Sequence, residues 1–387
     1  MFEHRLLLLT ETFPPAIGGI QSYLSGLWGA LPPEQSFVVT SVQPGDRAWD
    51  AQQRYRIVRA ATNAFRYPRW RPFWQAAREI VRREHIEAIV CGKSLFEGRA
   101  ALRLQQEFRI PFAACTYETE ILVWLSASRT RRQLSETLSA AGRVTVINDG
   151  MKQHLFRLGI PEQKIVKFYT GVAEDFFSAP AGIEEFRSRY VLGGKRVVTC
   201  VSRLVPRKGI DVLLRAFADV VRDLPDAHLI IVGDGPERAR LETLARSLNL
   251  ARHVYFLGIV PMDDVRRALA VADVFVLTPI VMDVDVEGFG IVYVEAAAAG
   301  KPAVGTRTGG IPEAVLDGET GLLVPERDAA ATAVALVRLL VDHSLRTRLA
   351  ATAKARAEKE FHWKGRSVLF QGMMHAVLSE QSSKPRT

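Results

Sequence analysis

Short apolar runs alternate with longer amphipathic stretches along the chain, and this alternation predicts strands separated by helices. A first series of runs predicts six strands, at residues 6–10, 37–42, 88–91, 111–116, 144–148 and 165–169. The pattern then restarts and predicts five more, at residues 196–201, 228–232, 254–256, 274–277 and 303–305. Helices between consecutive strands are typical of parallel sheets covered on both faces. Two such series predict an α/β fold with two doubly wound domains.

The break between the two series is predicted near residues 170–180, where Gly171, Ala179 and Pro180 interrupt the periodicity. We therefore expect a first domain over residues 1–171 and a second over residues 172–360. After about Phe361 a last helical stretch is predicted to run to Ser379, and residues 381–387 are interpreted as a frayed tail.

Composition narrows the class of protein without identifying it. The 387 residues are 48% hydrophobic and 24% charged, which excludes a mainly disordered chain and a collagen-like repeat. The cysteines Cys91, Cys115 and Cys200 lie far apart, so they favour a reducing compartment over a zinc site or a disulfide framework. No apolar run reaches the roughly 18 residues needed to span a bilayer, and the run at residues 6–9 is too short for a secretory signal. We expect a cytoplasmic protein.

Positive charge is concentrated in one stretch of the chain. The chain has 51 Lys and Arg against 42 Asp and Glu, and residues 54–83 hold nine arginines against one acid, Glu79. Six aromatic residues are interleaved with them: Tyr55, Phe65, Tyr67, Trp70, Phe73 and Trp74. Such a stretch suits an anionic membrane surface, a phosphorylated acceptor or nucleic acid, and it equally suits a solvated basic face over core aromatics. No nucleic-acid-binding motif accompanies it, and we expect no nucleic acid as a partner.

Two segments that follow predicted strands and precede helices are candidates for phosphate binding. After the first strand, Gly18 and Gly19 let the backbone approach a ligand, and the helix that follows offers free N–H groups. After the first strand of the second series, Arg203 and Lys208 lie where open α/β sheets bind ligands. Together these two cations can neutralise a diphosphate; the alternative is two surface cations in a loop.

Two further segments carry glycine turns. Gly233 and Gly235 follow a strand, and they either admit a ligand or only make the turn. Glu287 lies in a loop, and Glu295 is about one turn into a helix that begins near Gly290. The carboxylate of Glu295 suits hydrogen bonds from a ribose diol, Glu287 suits sugar hydroxyls, and the helix start suits a diphosphate. The alternative is an ordinary buried helix entry.

These four segments, in this order, resemble glycosyltransferase family 4, whose members are retaining enzymes of the GT-B fold that use nucleotide-diphosphate sugars. The resemblance covers nearly the whole chain and rests on residues 201–211, 231–236, 287–295 and 305–312. Residues 13–23 and 285–293 look most like the bacterial mannosyltransferases that extend phosphatidylinositol mannosides.

The resemblance implies two Rossmann-like domains facing a central cleft. Residues 1–171 would bind the acceptor, residues 172–360 the nucleotide sugar, and a helix in residues 361–387 would return to the first domain. Arg203, Lys208 and Glu287 would carry catalysis. The donor-binding residues that it implies are Gly18, Gly19, Arg203, Lys208, Gly233, Glu287, Gly288, Phe289, Gly290, Ile291, Val292 and Glu295.

One position departs from the family's pattern. Many relatives carry His-Gly-x-Glu after a strand of the first domain, with the His near the transferred sugar, whereas this chain has Tyr117-Glu118-Thr119-Glu120. A neutral Tyr still donates a hydrogen bond to a hydroxyl, and a displacement in which the leaving phosphate takes the acceptor proton needs no protein base. We expect Tyr117, Glu118 and Glu120 to contact the sugar or the acceptor; the alternative for the two glutamates is a solvated position.

No metal is expected. Asp283 and Asp285 form an Asp-x-Asp pair, but no third ligand stands nearby in the sequence, and a solvated acidic loop is the interpretation we adopt.

The sequence therefore predicts a retaining transferase that moves a hexose, mannose or glucose, from a GDP- or UDP-linked donor. The acceptor would be a hydroxyl of a lipid-linked or cell-envelope glycan, reached peripherally at the inner face of the cytoplasmic membrane through residues 54–83. Two alternatives stay open. One is a non-catalytic, membrane-associated protein that binds a nucleotide sugar, and the other is a GT-B epimerase or a transferase with a small soluble acceptor.

Overall fold

The computed structural model describes residues 3–61, 68–283 and 285–382. The chain divides into two compact units, one made of Met1–Gly171 with Trp363–Thr387 and the other of Val172–His362. Each unit is built on one parallel sheet, of seven strands in the first and six in the second. The predicted α/β class with two doubly wound domains is confirmed. In the described residues, no helix is both long and apolar enough to cross a membrane.

Seven strands make the sheet of the first unit: β1 (Leu6–Leu9), β2 (Ser36–Ser41), β3 (Arg56–Ala60), β4 (Ala88–Cys91), β5 (Phe112–Cys115), β6 (Arg143–Val146) and β7 (Ile165–Lys167). Their order is β3-β2-β1-β4-β5-β6-β7, and every neighbouring pair is parallel. The central strands are continuous apolar runs because helices cover both of their faces. Each leucine of β1 is at most 1% exposed, and burying such a side chain contributes about 1.5–3 kcal/mol.

Seven helices of the first unit follow these strands: α1 (Gly19–Gly29), α2 (Asp46–Asp50), α3 (Arg71–Glu84), α4 (Phe96–Phe108), α5 (Glu118–Leu125), α6 (Ser128–Ala140) and α7 (Asp149–Arg157). Single 3-10 turns lie at Pro33–Gln35 and Glu162–Lys164. The order of the sheet reverses between β1 and β4, so the topological switch point of this unit lies between those two strands.

The second unit repeats this plan. Its strands are β8 (Arg196–Val201), β9 (Ala227–Val232), β10 (Val254–Gly258), β11 (Val274–Val276), β12 (Ala303–Thr306) and β13 (Gly321–Val324), in the order β10-β9-β8-β11-β12-β13. Its helices are α8 (Ile183–Arg189), α9 (Ile210–Asp223), α10 (Arg238–Ser247), α11 (Met262–Val271), α12 (Ile291–Ala298), α13 (Ile311–Ala314), α14 (Ala329–Val341) and α15 (His343–Glu360). Turns of 3-10 helix lie at Glu174–Phe177 and Pro206–Lys208. The switch point lies between β8 and β11.

The last helix, α16 (Trp363–Ser382), belongs to the first unit. Its Phe370 ring packs edge-on against Trp28 of α1, with ring centroids 6.0 Å apart. Arg366 donates to the Tyr169 carbonyl oxygen at 3.1 Å and lies over the Phe168 ring. The helix runs to Ser382, so the prediction that it ends at Ser379 and that a tail starts at 381 is wrong; residues 383–387 lie outside the described residues.

Candidate active site in the second unit

One of the two predicted cations, Lys208, and the predicted loop glutamate, Glu287, meet at the switch point of the second unit. Lys208 ends the 3-10 turn that follows β8, and Glu287 lies in the loop that follows β11. Because β8 and β11 are neighbours, the two loops rise from the same edge of the sheet. This is the edge at which open α/β sheets bind ligands.

Glu287 contacts two cations at once. Its Oε2 accepts a hydrogen bond from Arg207 Nη1 at 2.7 Å and a second, short one from Lys208 Nζ. Arg207 also pairs through Nε with Asp285, at 3.1 Å. The side chains of Arg207, Lys208 and Glu287 are each between 11% and 14% exposed, so this cluster of charges is nearly dry. Arg207 was not among the predicted site residues.

The charge state of Glu287 follows from these contacts. Burial opposes ionisation, but the charges and hydrogen bonds of Lys208 and Arg207 outweigh it and hold the pKa of Glu287 below its ordinary value. Glu287 is therefore a carboxylate at neutral pH, and with Asp285 it offsets most of the positive charge of the loop.

The start of α12 offers free backbone donors beside this cluster. Its N-cap is Gly290 at φ 77°, a left-handed conformation, and no side chain caps the first turn. Tyr293 fixes this turn, because it is buried and its hydroxyl donates to the Leu277 carbonyl oxygen at 2.6 Å. Ile291 and Val292 are half-buried in the first turn. The helix begins where the sequence predicted it.

The segment after β12 supports the Glu287 loop from the other side. The Gly310 N–H donates to the Glu287 carbonyl oxygen at 3.0 Å. A Cβ on Gly309 would lie 2.2 Å from the same oxygen, so a glycine is required at this left-handed position. Gly288 is half-buried in this loop, and Phe289 is buried with its ring against Phe361.

Glu295 lies one turn into α12, as predicted. In the described part of the chain its carboxylate has no hydrogen-bond or ion-pair partner, although the side chain is half-buried. Dehydration raises the pKa of Glu295 to about 7. A carboxyl group in this setting has its acceptor oxygens available to a ligand.

Two predicted site residues stand apart from this cluster. Arg203 is exposed in the loop after β8, and the structure does not bring it to Glu287. Gly233 is needed by the protein's own packing: its φ is 125°, and a Cβ would lie 1.9 Å from the Ser202 carbonyl oxygen. A Cβ on Gly235 would likewise lie 2.3 Å from the Leu204 carbonyl oxygen. The turn with Gly233 and Gly235 therefore packs closely against the loop that follows β8. This packing accounts for both glycines without a ligand.

The acidic loop before Glu287 is not simply solvated. Asp285 is paired with Arg207, so the prediction of a purely solvated loop is wrong for this residue. Among the described residues, no group of three or more His, Cys, Asp or Glu side chains is arranged to hold a metal ion.

In the first unit, Gly18 and Gly19 lie at the start of α1. Gly18 has φ 164° and ψ 165°, an extended backbone that any residue adopts, and Gly19 is the first helical residue. The backbone therefore makes no left-handed turn at Gly18 that would require a glycine. A Cβ on Gly18 would meet only the flexible Gln21 side chain, at 2.5 Å.

The predicted sugar or acceptor contacts separate into two groups. Glu118 is buried, and its Oε2 accepts from Asn148 Nδ2 at 2.8 Å, so a solvated Glu118 is ruled out. Tyr117 and Glu120 have buried polar atoms with no hydrogen-bond partner among the described residues. They lie beyond the end of β5, near the switch point of this unit.

Most arginines of the basic stretch are paired with acids of the first unit, one of them within the stretch itself. Six of its arginines pair with carboxylates: Arg56, Arg59, Arg69, Arg78, Arg82 and Arg83. Tyr55 and Phe73 are buried, and Trp70 and Trp74 pack against the core. Phe65, Arg66 and Tyr67 lie outside the described residues. The alternative of a basic face over core aromatics accounts for most of this stretch.

Two family models match the chain. Residues 17–176 match the model described as Glycosyltransferase Family 4, and residues 182–356 match Glycosyl transferases group 1. A similar protein from Mycolicibacterium smegmatis is named GDP-mannose-dependent alpha-(1-6)-phosphatidylinositol monomannoside mannosyltransferase. It is 33% identical over 93% of this chain and 96% of its own length. A Corynebacterium glutamicum protein, named as the mannosyltransferase for the monoacylated form of that lipid, is 30% identical over 93% of this chain and 95% of its own.

Solved structures share the fold. Anabaena HepE, solved with UDP and glucose, superposes with a TM-score of 0.81 over 97% of this chain and all of its own, at 21% identity. Sucrose-phosphate synthase from Thermosynechococcus elongatus gives 0.80 over 98% of this chain and all of its own, at 22% identity.

Proposed function

Because the chain belongs to glycosyltransferase family 4 and has its GT-B fold, we propose that it transfers mannose from GDP-mannose to a hydroxyl of a phosphatidylinositol mannoside. The chain is a glycosyltransferase; the base, the sugar and the acceptor are the proposal. GDP-mannose and the lipid acceptor are taken from the names of relatives that match over 93% of this chain.

The observation that carries the proposal is the cluster of Arg207, Lys208 and Glu287 beside the uncapped start of α12. A diphosphate is bound by cations and by free backbone N–H groups that face it from one side. Lys208 has three N–H donors, so it can keep its bond to Glu287 and still donate to a phosphate oxygen. Arg203, exposed and unpaired in the described structure, supplies a further cation, and Glu295 accepts the ribose hydroxyls.

The chemistry assigned to these residues is stabilisation of the leaving diphosphate. In a retaining displacement the acceptor hydroxyl attacks the anomeric carbon from the face that the diphosphate leaves, and a phosphate oxygen takes the hydroxyl proton. Preorganised cations and helix N–H groups favour the charge that develops on the diphosphate. Glu287 faces the transferred sugar and orients its hydroxyls.

We assign binding of the acceptor to the first unit. A lipid acceptor requires the protein to reach a bilayer surface, so we place it peripherally at the inner face of the cytoplasmic membrane. This part rests on the lipids in the relatives' names, because most arginines of the basic stretch are already paired. Co-sedimentation with phosphatidylinositol-containing vesicles at low and high salt tests it, and no sedimentation at low salt would contradict it.

Thermal stability with GDP, UDP and ADP tests the donor site. A nucleotide at 100 times its dissociation constant adds about 2.7 kcal/mol to the free energy of unfolding. We expect GDP alone to stabilise the protein, and Arg203→Ala to abolish the effect. Arg215→Ala removes an exposed arginine of α9 in the same unit and serves as the matched control. Stabilisation by UDP alone would contradict GDP-mannose as the donor and indicate a UDP-linked sugar.

Transfer of radiolabelled mannose tests the reaction itself. The full chain is incubated with GDP-mannose and phosphatidylinositol mannoside vesicles, and labelled lipid is expected in the organic extract. Label released as free mannose without an acceptor product would contradict the proposed acceptor.

A further inference from the structure

Three polar side chains converge at the switch point of the first unit. Glu97 is in the first turn of α4, which follows β4, while Tyr117 and Glu120 lie at the start of α5, which follows β5. The strands β1, β4 and β5 are neighbours in the sheet, so their carboxyl ends open onto one edge. The Ser94 hydroxyl donates to the Cys115 carbonyl oxygen at 2.8 Å and ties the two loops together.

The polar atoms of these side chains are buried and incompletely paired. Glu97 is fully buried; its Oε1 accepts from the Glu11 N–H at 2.8 Å, and its Oε2 has no partner among the described residues. Both carboxylate oxygens of Glu120 and the Tyr117 hydroxyl are equally buried and without a partner there. Glu118, in the same turn of α5, is satisfied by Asn148. The fold thus pairs a neighbouring carboxylate and leaves these four atoms unmatched.

Such an arrangement is costly for a structural role alone. Buried polar atoms are nearly always hydrogen-bonded, and an unmatched one carries its full dehydration penalty. Burial raises the pKa of Glu97 to about 7, and burial together with the charge of Glu97 raises the pKa of Glu120 well above its ordinary value. At neutral pH the pair therefore holds at least one proton, so it has both a donor and several acceptors.

That mixture of donors and acceptors matches hydroxyl groups. Each hydroxyl donates one hydrogen bond and accepts others, which suits a half-protonated carboxyl pair with a phenol beside it. A phosphate group is an anion at neutral pH, so the remaining carboxylate of the pair would repel it. The described residues offer no metal-binding group. Burial is the largest influence on both carboxyl groups, and the charge of Lys93, two residues after β4, opposes it by favouring their ionised forms.

We propose that Glu97, Tyr117 and Glu120 form a subsite that binds two neighbouring hydroxyl groups on a sugar or cyclitol ring of the acceptor. The inference rests on the proposed function, because it takes the first unit as the acceptor side. The donor's diphosphate, ribose and transferred sugar are assigned to Lys208, Glu295 and Glu287 of the second unit, which leaves the ring hydroxyls of the acceptor for this edge.

Glu97→Gln and Tyr117→Phe test the subsite in the full-length enzyme. We expect each substitution to raise the KM for the phosphatidylinositol mannoside by about tenfold or more, because a hydrogen bond to a charged or buried group is lost. The KM for GDP-mannose is expected to stay within about twofold of the wild-type value. Tyr55→Phe is the matched control, because it removes another buried, unpartnered phenol from the same unit and is expected to change neither constant. An unchanged acceptor KM, or a rise confined to the donor KM, would overturn the subsite.

Two measurements separate this inference from folding and from the proposed function. The midpoint temperature of thermal unfolding is expected to be no lower in Glu97→Gln and Tyr117→Phe than in the wild type. The atoms that these substitutions change, Glu97 Oε2 and the Tyr117 hydroxyl, have no protein partner to lose among the described residues. Saturation-transfer NMR with myo-inositol and with methyl α-mannoside needs no turnover. Binding of either probe to the wild type, lost in both variants, supports the subsite even where the mannose-transfer assay fails; binding retained in both variants overturns it.

Discussion

Glu287 shares one oxygen between Arg207 and Lys208, and this determines what a substitution of Lys208 does. We expect Lys208→Ala to lower kcat/KM about a hundredfold, because a preorganised cation at the leaving group is lost. It also lowers the free energy of unfolding by about 2 kcal/mol, the worth of a hydrogen bond between charged groups, since Arg207 still pairs with Glu287.

The double variant Lys208→Ala/Glu287→Gln measures how strongly the two side chains are coupled. Because they are hydrogen-bonded to each other, we expect its loss of unfolding free energy in urea to be smaller than the sum of the losses in the two single variants, by about 0.5–3 kcal/mol. Arg215→Ala is the control for loss of a cation. Near-normal turnover in Lys208→Ala would remove Lys208 from the active site.

The raised pKa of Glu295 predicts how the affinity for a nucleotide depends on pH. Its pKa is about 7 in the protein, and ribose hydroxyls donate to the carboxylate form. GDP and a proton therefore compete, and the Kd for GDP is expected to rise as pH falls below about 7, by up to about tenfold per pH unit.

Titration calorimetry of the wild type and Glu295→Gln between pH 6 and 8 checks this. The variant keeps the titration of the GDP phosphate itself, so the difference between the two curves isolates Glu295. Parallel curves would show that Glu295 does not meet the ribose.

At the scale of elements, α1 carries two glycines in different surroundings. A Cβ on Gly26 would lie 2.4 Å from Nε1 of Trp363, the first residue of α16, whereas nothing lies within 4 Å of one on Gly29. Alanine normally stabilises a helix relative to glycine, by about 0.5–1 kcal/mol. We expect Gly29→Ala to be neutral or stabilising and Gly26→Ala to destabilise by about 1–3 kcal/mol, because the rigid indole must move.

Chemical unfolding of the two variants checks this difference, and they serve as each other's control. If Gly26→Ala were as stable as Gly29→Ala, the close contact between α1 and the Trp363 indole would contribute nothing to stability.

Most elements were predictable because their signal is local. Eleven strands were predicted from apolar runs, and two were missed. β3 is an edge strand that begins and nearly ends with arginine, so its pattern is that of a charged surface stretch. β13 is four residues long and follows a turn. Both gain their stability from a neighbouring strand, which the local sequence does not contain.

The candidate site was predictable only in part, for a related reason. Lys208, Glu287 and Glu295 stand in recognisable segments, and Arg207 was missed because an arginine beside a lysine in a loop is ordinarily a solvated cation. Glu97 carries no sequence signal at all, since a lone glutamate near a helix start is typical of an exposed first turn. Only the packing of α4 beside β4 and β5 buries it.

At the scale of the whole molecule, buried carboxyl groups set how stability depends on pH. Glu97 has a pKa of about 7 in the folded protein against an ordinary 4.5, so the folded state holds a proton that the unfolded state releases. Its stabilising contribution is complete below about pH 4.5 and is lost as pH rises through 7, a difference of roughly 3 kcal/mol. Glu120 and Glu295 act in the same direction.

Glu97→Gln is therefore expected to flatten the dependence of the unfolding free energy on pH between 5 and 8, and to be more stable than the wild type at pH 8. The glutamine cannot ionise, so the dehydration of a buried carboxylate, and with it the repulsion from Glu11 and Glu120, does not destabilise the variant at high pH. Urea unfolding at each pH measures this, with Glu136→Gln, an exposed glutamate of α6, as the control that keeps the wild-type slope. If Glu97→Gln kept that slope as well, Glu97 would have to be ionised in the folded protein, and the proton that its pair with Glu120 offers to an acceptor hydroxyl would be absent.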